Sequence, residues 1–368
     1  MRFTQLDDWL RWQERLHPRT IELGLDRVMA VWQRLSPGGL GLPVVTVGGT
    51  NGKGSCVALL DAIYRGAGYR TACYTSPHLL RYNERILIDG KQIDDEALCS
   101  AFQQVDEARG DVSLTYFEFG TLAALQLFSV ASPDVVILEV GLGGRLDAVN
   151  LIDADVSLVS SVAIDHTAWL GETLGKIALE KAGIFRAGRP AIIGQPVPPP
   201  ELPGEAERIG ARVYLAGREF RWESAPGGWR WYGPTRRRDA LPPPRLRGRH
   251  QFDNAAAALM AVDCLAERLP VNQAAVRVGL QRVRLRGRFQ VVPGPVTLVL
   301  DVAHNEAAAQ VLAQNLEALH CSGTLHGVFG ILGDKDAAGM ARALTPRVTR
   351  WYLAAPRDAR AVAAVDLQ

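Results

Sequence analysis

Apolar residues recur along this chain in two rhythms. Short unbroken runs alternate with longer stretches of helical spacing. Residues 44–47, Val-Val-Thr-Val, form a β-branched run that enters a glycine-rich turn, and residues 56–68 then take helical spacing and end on Gly66 and Gly68. Residues 71–75 predict a strand, 116–130 a largely buried helix, and 135–138 and 156–162 two further strands. Strands that are apolar without alternation are buried on both faces of a parallel sheet. The pattern therefore predicts an α/β fold.

The middle of the chain changes rhythm. Between residues 213 and 246 aromatic and polar positions alternate around Gly227-Gly228, with Phe220, Trp222, Trp229 and Trp231, which predicts a small antiparallel appendage. Pro242-Pro243-Pro244 breaks regular structure, and helical spacing returns from His250. After Arg286-Gly287-Arg288-Phe289 a second α/β unit is expected, with strands at 297–301, 324–332 and 350–354 and helices at 306–319 and 336–344. The predicted division is a larger α/β domain over residues 1–287 and a smaller Rossmann-like domain over 288–368. Two domains also suit 368 residues. The last ten residues, ARAVAAVDLQ, read as part of a helix.

Composition narrows the function. Lys plus Arg is 41 and Asp plus Glu is 39, a net charge of +2, so nucleic acid is not an expected partner. The basic stretches at 236–238 and 245–249 read as solvated loop. The longest run free of charged residues, 35–52, is rich in Gly and Pro, so a membrane is not expected either. The N-terminus carries acids and reads as an amphipathic helix rather than a leader. Five scattered cysteines without a Cys-x-x-Cys pair fit reduced thiols in a cytoplasmic protein.

Chemistry enters at the turn after residue 47. A strand, a glycine turn and a helix N-terminus aim several N–H groups and a positive dipole end at one point, where a phosphate is the natural occupant. Lys53 supplies a charge for terminal phosphates and Ser55 a hydroxyl for Mg²⁺ or phosphate. The competing reading is a glycine turn with Lys53 in solvent. The loop departs from the common G-x-x-x-x-G-K-S/T pattern, because Gly54 separates Lys53 from Ser55. Glu139 follows the run at 135–138, at the carboxyl end of a strand where open α/β sheets bind ligands.

Gly49-Thr50-Asn51-Gly52-Lys53-Gly54-Ser55 resembles the loop of the Mur ligase family of ATP-dependent amide-forming enzymes. Further segments resemble the folate branch of that family: TSPHLLRYNERI at 75–86, LTYFEFGTLAAL at 114–125, ILEVGLGGRLDAVN at 137–150, DHTAWLG at 165–171, EKAGIF at 180–185, GRF at 287–289 and DVAHN at 301–305. The resemblance implies a cytoplasmic, monomeric enzyme that joins L-glutamate to dihydropteroate and to tetrahydrofolate, using ATP and Mg²⁺ through an acyl phosphate. It implies that Thr50, Asn51, Gly52, Lys53, Gly54 and Ser55 hold the phosphates, with Asn254 near adenine, Arg288 on phosphate and Asp301 on ribose. It makes Ser76, Glu139 and His166 the metal ligands together with Lys181, whose amine would carry a CO₂-derived carboxyl group. Lys53, His166 and Lys181 are then the catalytic residues. Glu22, Leu23, Gly24, Thr115, Tyr116, Phe117, Glu118, Leu146, Asp147 and Ala148 are the implied pterin site, Phe117 stacking and Asp147 accepting hydrogen bonds.

Several residues keep plainer readings at this point. Lys181 can be a helix-surface lysine paired with an acid, Phe117 plain core, and Arg81 or Arg85 a structural ion-pair partner rather than a substrate contact. The resemblance also implies several tens of residues beyond Gln368, so this chain is expected to be truncated or to carry a smaller second domain. Rival readings are a ligase confined to folates that already carry glutamate, a Mur ligase acting on a cell-wall precursor, a P-loop ATPase without an amine acceptor, and an inactive folate-binding protein.

Overall fold

The structure, a computed structural model, describes residues 1–319, 321, 323–358 and 360–368. Its centre is an eight-stranded sheet built from β1 (Val44–Gly48), β2 (Thr71–Tyr74), β3 (Ile86–Ile88), β4 (Lys91–Gln92), β5 (Val135–Glu139), β6 (Val156–Val159), β7 (Pro190–Ile193) and β8 (Arg212–Leu215), in the order β4-β3-β2-β5-β1-β6-β7-β8. All neighbours run parallel except β2 with β3 and β3 with β4.

The apolar runs explain the layers. Successive residues of β1 and β5 enter opposite cores: Val44, Val136 and Leu138 one, Val45, Val47, Val135 and Ile137 the other. Helices Leu6–Leu16, Asp26–Leu35, Asp95–Arg109 and Tyr116–Ala131 cover the first face, while Lys53–Gly66, His250–Cys264 and Gln273–Arg282 cover the second. Burial of both faces is what continuous apolar strands require. Helix Tyr116–Ala131 starts from a capping box in which Thr115 Oγ1 accepts the Glu118 N–H and Glu118 returns a carboxylate oxygen to the Thr115 N–H.

Three expectations need correction. The strand expected at 156–162 stops at Val159, because Ser160 and Ser161 turn their hydroxyls to the Asn51 carbonyl at 2.6 and 2.9 Å. The appendage is three-stranded, formed by β9 (Arg221–Ala225), β10 (Gly228–Tyr232) and β11 (Arg237–Leu241), whereas Val213 belongs to β8 of the large sheet. The final residues form no α-helix: Ala361 makes a bridge to Leu332 and Ala364–Leu367 is one 3₁₀ turn.

Beyond residue 287 the strands form two short ladders. Antiparallel β12 (Gln290–Val292) and β13 (Leu298–Leu300) make one, parallel β14 (His326–Phe329) and β15 (Arg350–Leu353) the other. Helices Glu306–Ala318 and Ala337–Leu344 pack on a separate small core whose buried members among the described residues are Ala309, Ile331, Met340 and Leu344. Among the described residues no helix is long and apolar enough to cross a membrane.

Candidate active site

The register of the large sheet places the site. Val47 lies opposite Glu139 on β5, and Gly48 opposite Val159 on β6, so the turn after β1 leaves the sheet between two carboxyl strand ends. Gly49 takes φ +136° and Gly52 φ +89°. A side chain at Gly52 would meet the Asn254 amide oxygen at 2.6 Å, and one at Gly49 would collide with the Ser160 hydroxyl. Only glycine serves at either position. The loop is tied from β6 by Thr50 N–H to the Ser161 carbonyl at 2.7 Å, Thr50 Oγ1 to the Ala163 carbonyl at 3.1 Å and Asn51 N–H to Ser161 Oγ at 3.0 Å.

Lys53 does not point to solvent. Its ammonium donates to the Gly49 and Thr50 carbonyls at 3.0 and 3.2 Å, and burial, opposed by the Glu139 charge, lowers its pKa. Glu139 is buried, and burial raises its pKa against the pull of Lys53. Ser76 N–H donates to Glu139 Oε2 at 3.3 Å, so two of the expected metal ligands meet. Ser55 is buried beneath them, its Oγ accepting from Gln251 Nε2 at 3.4 Å.

Lys181 sits in the last turn of helix Leu174–Ala182 with 3% exposure, which excludes a surface lysine. The acid beside it, Glu180, bonds Arg145 at 2.8 Å instead. Among the described residues the Lys181 ammonium forms no ion pair or hydrogen bond. Burial and then the nearby Lys53 charge bring its pKa to about 7. Lys53, Lys181, Asp165, His166 and His304 line one small pocket with Gly49, Thr50 and the 140–143 turn.

His166 adopts φ +51° ahead of the short helix Thr167–Leu170. Its neighbour Asp165 is the residue that sequence reading passed over. Asp165 Oδ1 accepts from Lys335 Nζ at 2.8 Å, and Oδ2 accepts from Asn305 Nδ2 at 3.0 Å and lies 3.4 Å from His304 Nε2. Burial would raise the Asp165 pKa, but hydrogen bonds from His304 and Lys335 hold it well below the carboxylate range. Asn305 also exchanges hydrogen bonds with Asn51 at 3.1 Å. The segment after residue 287 is thus fastened to the glycine loop by polar groups from distant parts of the sequence.

The donor set fits a divalent ion shared with phosphates. Glu139 Oε1 receives no donor among the described residues, and His166 lines the small pocket that Lys53 and Lys181 share. Among the described residues no three His, Cys, Asp or Glu side chains make a cage of their own. Mg²⁺ in phosphate-handling sites typically takes one or two carboxylates, water and phosphate oxygens.

The other expected residues fall in two places. Asn254 lies against Gly52, its Nδ2 donating to Gln251 Oε1 at 3.0 Å, and Arg288 is half-buried and near enough to influence Lys53 and Glu139. Asp301 follows β13, its oxygens accepting the Phe289 and Ala303 N–H groups at 2.7 and 2.8 Å. The expected pterin segments converge beside the 140–143 turn that lines the same pocket. Gly24 N–H donates to the Leu146 carbonyl at 3.2 Å, and Arg27 bonds Glu22 at 2.7 Å and Glu118 at 2.9 Å. Leu23 and Tyr116 are partly buried and Ala148 is buried. Phe117 is partly exposed, against Gly141 and 5.8 Å from the Tyr74 ring, so it is not plain core. Two expectations shift. Asp147 is 2% exposed, with its oxygens on the Leu142 and Val149 N–H groups at 2.8 and 3.1 Å, and Glu118 is spent on the helix cap and Arg27. Arg81 pairs with Asp95 at 2.8 Å, and buried Arg85 bonds His78 Nδ1 at 2.9 Å.

A phosphate loop on a parallel sheet, facing a buried carboxylate and closed by a second unit, defines an ATP- and divalent-metal-dependent amide ligase of the Mur type. Residues 287–367 match the family described as Mur ligase, glutamate ligase domain. The chain belongs to the dihydrofolate synthase/folylpolyglutamate synthase family. It is 44% identical over 359 residues to the dihydrofolate synthase/folylpolyglutamate synthase of Escherichia coli (strain K12), covering 97% of this chain and 84% of that protein. The Haemophilus influenzae protein of the same description is 41% identical over 365 residues, covering 94% of this chain and 82% of its own length. A solved structure of E. coli FolC in complex with DHPP and ADP superimposes with a TM-score of 0.95 at 43% identity, covering 99% of this chain and 86% of that one. A bifunctional folylpolyglutamate synthase/dihydrofolate synthase with Mn, AMPPNP and L-glutamate bound gives a TM-score of 0.92 at 45% identity, covering 99% and 87%.

Proposed function

We propose that this protein adds L-glutamate to dihydropteroate, forming dihydrofolate, and to tetrahydrofolate and its glutamylated forms. The observation that carries the reading is the composition of one pocket, in which Lys53 and Lys181 from the large domain meet His304 from the segment matching a glutamate ligase domain. Carboxylate is a poor electrophile, so the γ-phosphate of ATP must first be placed on it. Lys53 and the loop N–H groups hold that phosphate, Asn254, Arg288 and Asp301 hold the rest of the nucleotide, and the glutamate amine attacks the acyl phosphate from the side of the second domain, expelling inorganic phosphate and losing a proton as the amide forms. Mg²⁺ at Ser76, Glu139 and His166 supplies neutralisation of phosphate charge.

Lys181 completes this reading as a carboxylated lysine. An amine that is buried, has no hydrogen-bond or ion-pair partner among the described residues and has a pKa of about 7 is neutral often enough to take up CO₂, and the product is an anion suited to a cation site. The pterin lies between Glu22-Leu23-Gly24, Thr115–Glu118 and Leu146–Ala148, with Phe117 as its stacking surface and the Asp147 carboxylate shaping the turn. The protein acts as a cytoplasmic monomer on small molecules, without nucleic acid or membrane, and its domains divide at 287/288, a division supported by a small separate core drawn only from residues after that point.

The test is ADP release with dihydropteroate, with tetrahydrofolate and with neither, each with and without L-glutamate. Release should require a pteridine acceptor and glutamate together. Equal release without glutamate would make the protein a simple ATPase, and activity on tetrahydrofolate alone would confine it to the second reaction.

A further inference from the structure

Lys335 stands at the junction of the two domains and has no part in the mechanism above. Its side chain is 9% exposed, with Nζ 2.8 Å from Asp165 Oδ1 and 3.4 Å from His166 Nε2. An ammonium has only donors, so the His166 contact uses the single lone pair of Nε2. A metal ion bound through Nε2 needs that same lone pair. We propose that Lys335 is a positioning residue that occupies the His166 lone pair and thereby excludes a divalent cation from it until nucleotide phosphate draws the ammonium away.

Charge strengthens the exclusion. A divalent ion on Nε2 would stand within a few ångströms of a positive group inside a partly buried junction, where like charges repel far more than in water. Phosphate oxygens reverse the balance, because they attract both the ammonium and the ion. The arrangement orders the events: nucleotide first or together with metal, not metal alone. Asp165 keeps the ammonium in place meanwhile, and Asn305, on the same carboxylate, keeps the second domain over the glycine loop.

The inference rests on His166 as a metal ligand, and the experiment separates the two. Mn²⁺ affinity is measured by the loss of free-ion EPR signal, with and without AMPPNP. Without nucleotide, Lys335→Met should bind Mn²⁺ at least about tenfold more tightly than the natural protein, whereas Lys335→Arg should stay within about threefold of it. With AMPPNP the advantage of Lys335→Met should fall below about threefold. If Lys335→Met does not fold, Lys335→Gln serves the same comparison. Unchanged affinity of the neutral variant without nucleotide overturns the proposal, provided His166→Ala weakens Mn²⁺ binding in the AMPPNP complex. If His166→Ala has no effect there, the metal assignment falls and the Lys335 proposal with it.

Discussion

The glycine loop and the domain that closes over it are held by different means. Around the loop, two apolar cores grip the large sheet from both sides, and Gly49 and Gly52 admit no side chain. The region after 287 has, among the described residues, only four buried apolar residues in its own core and meets the loop through Asn305, His304 and Lys335. Apolar packing fixes distance, whereas polar contacts can be exchanged for those of a ligand. The phosphate end of the site is therefore preset, and the glutamate side is assembled by partners that also suit substrate.

The sharpest way to break that contrast is to alter the preset side. Lys53→Ala should leave the fold intact and lower ligation by about a hundredfold or more, because a preorganised phosphate contact is lost. Near-normal turnover at saturating ATP would show that the loop holds no phosphate.

Lys181→Arg should be nearly as damaging, since a guanidinium keeps the charge and cannot form a carbamate. Lys181→Ala should recover part of its activity in acetate. Carbamate formation needs the neutral amine, so CO₂-dependent activity of the natural enzyme should rise with pH through about 7. Full activity of Lys181→Arg, with an unmodified amine in crystals grown near neutral pH, would remove the carboxylated lysine.

A smaller effect is expected at the polar junction. Asp165→Asn takes from the buried Lys335 ammonium its nearer carboxylate and leaves only the longer, 3.4 Å pair with Asp334, and urea denaturation should show a loss of about 3 kcal/mol. The Asp165 pKa is lowered in the folded protein, so its contribution is present above pH about 4 and is lost as pH falls toward its folded value. An unchanged denaturation midpoint at pH 7 would mean that the junction does not depend on this charge. Arg81→Ala should change least, by less than about 0.5 kcal/mol and with no change in KM for either folate, because its partner Asp95 is exposed. A raised KM would return Arg81 to the substrate side.

What could be read from sequence follows the same division. Lys53, Glu139 and the strands around them are local features, a contiguous motif and a strand end, and the structure has them where the pattern predicts. Asp165, Asn305 and Lys335 belong to one cluster, yet 140 and 170 residues separate its members in sequence, and nothing local marks Lys335. Thr115-Tyr116-Phe117-Glu118 carried its own helix-start signature, Thr-x-x-Glu, which competed with the substrate reading for the same carboxylate. The strand at 297–301 was visible but its partner was not, because antiparallel pairing with β12 depends on the turn between them.

An open sheet invites strangers to add strands at its borders, and here neither border offers much welcome. On one side the row ends in β4, only Lys91 and Gln92, both exposed. Burying the lysine against another chain would cost its hydration, and two residues give too short a template for register. On the other side β8 opens with exposed Arg212 and lies against helix Glu201–Ile209. A catalytic platform with such apolar strands would otherwise be a hazard while it is being made in a crowded cell. Its quiet borders let it carry that much apolar sheet without recruiting neighbours into aggregates.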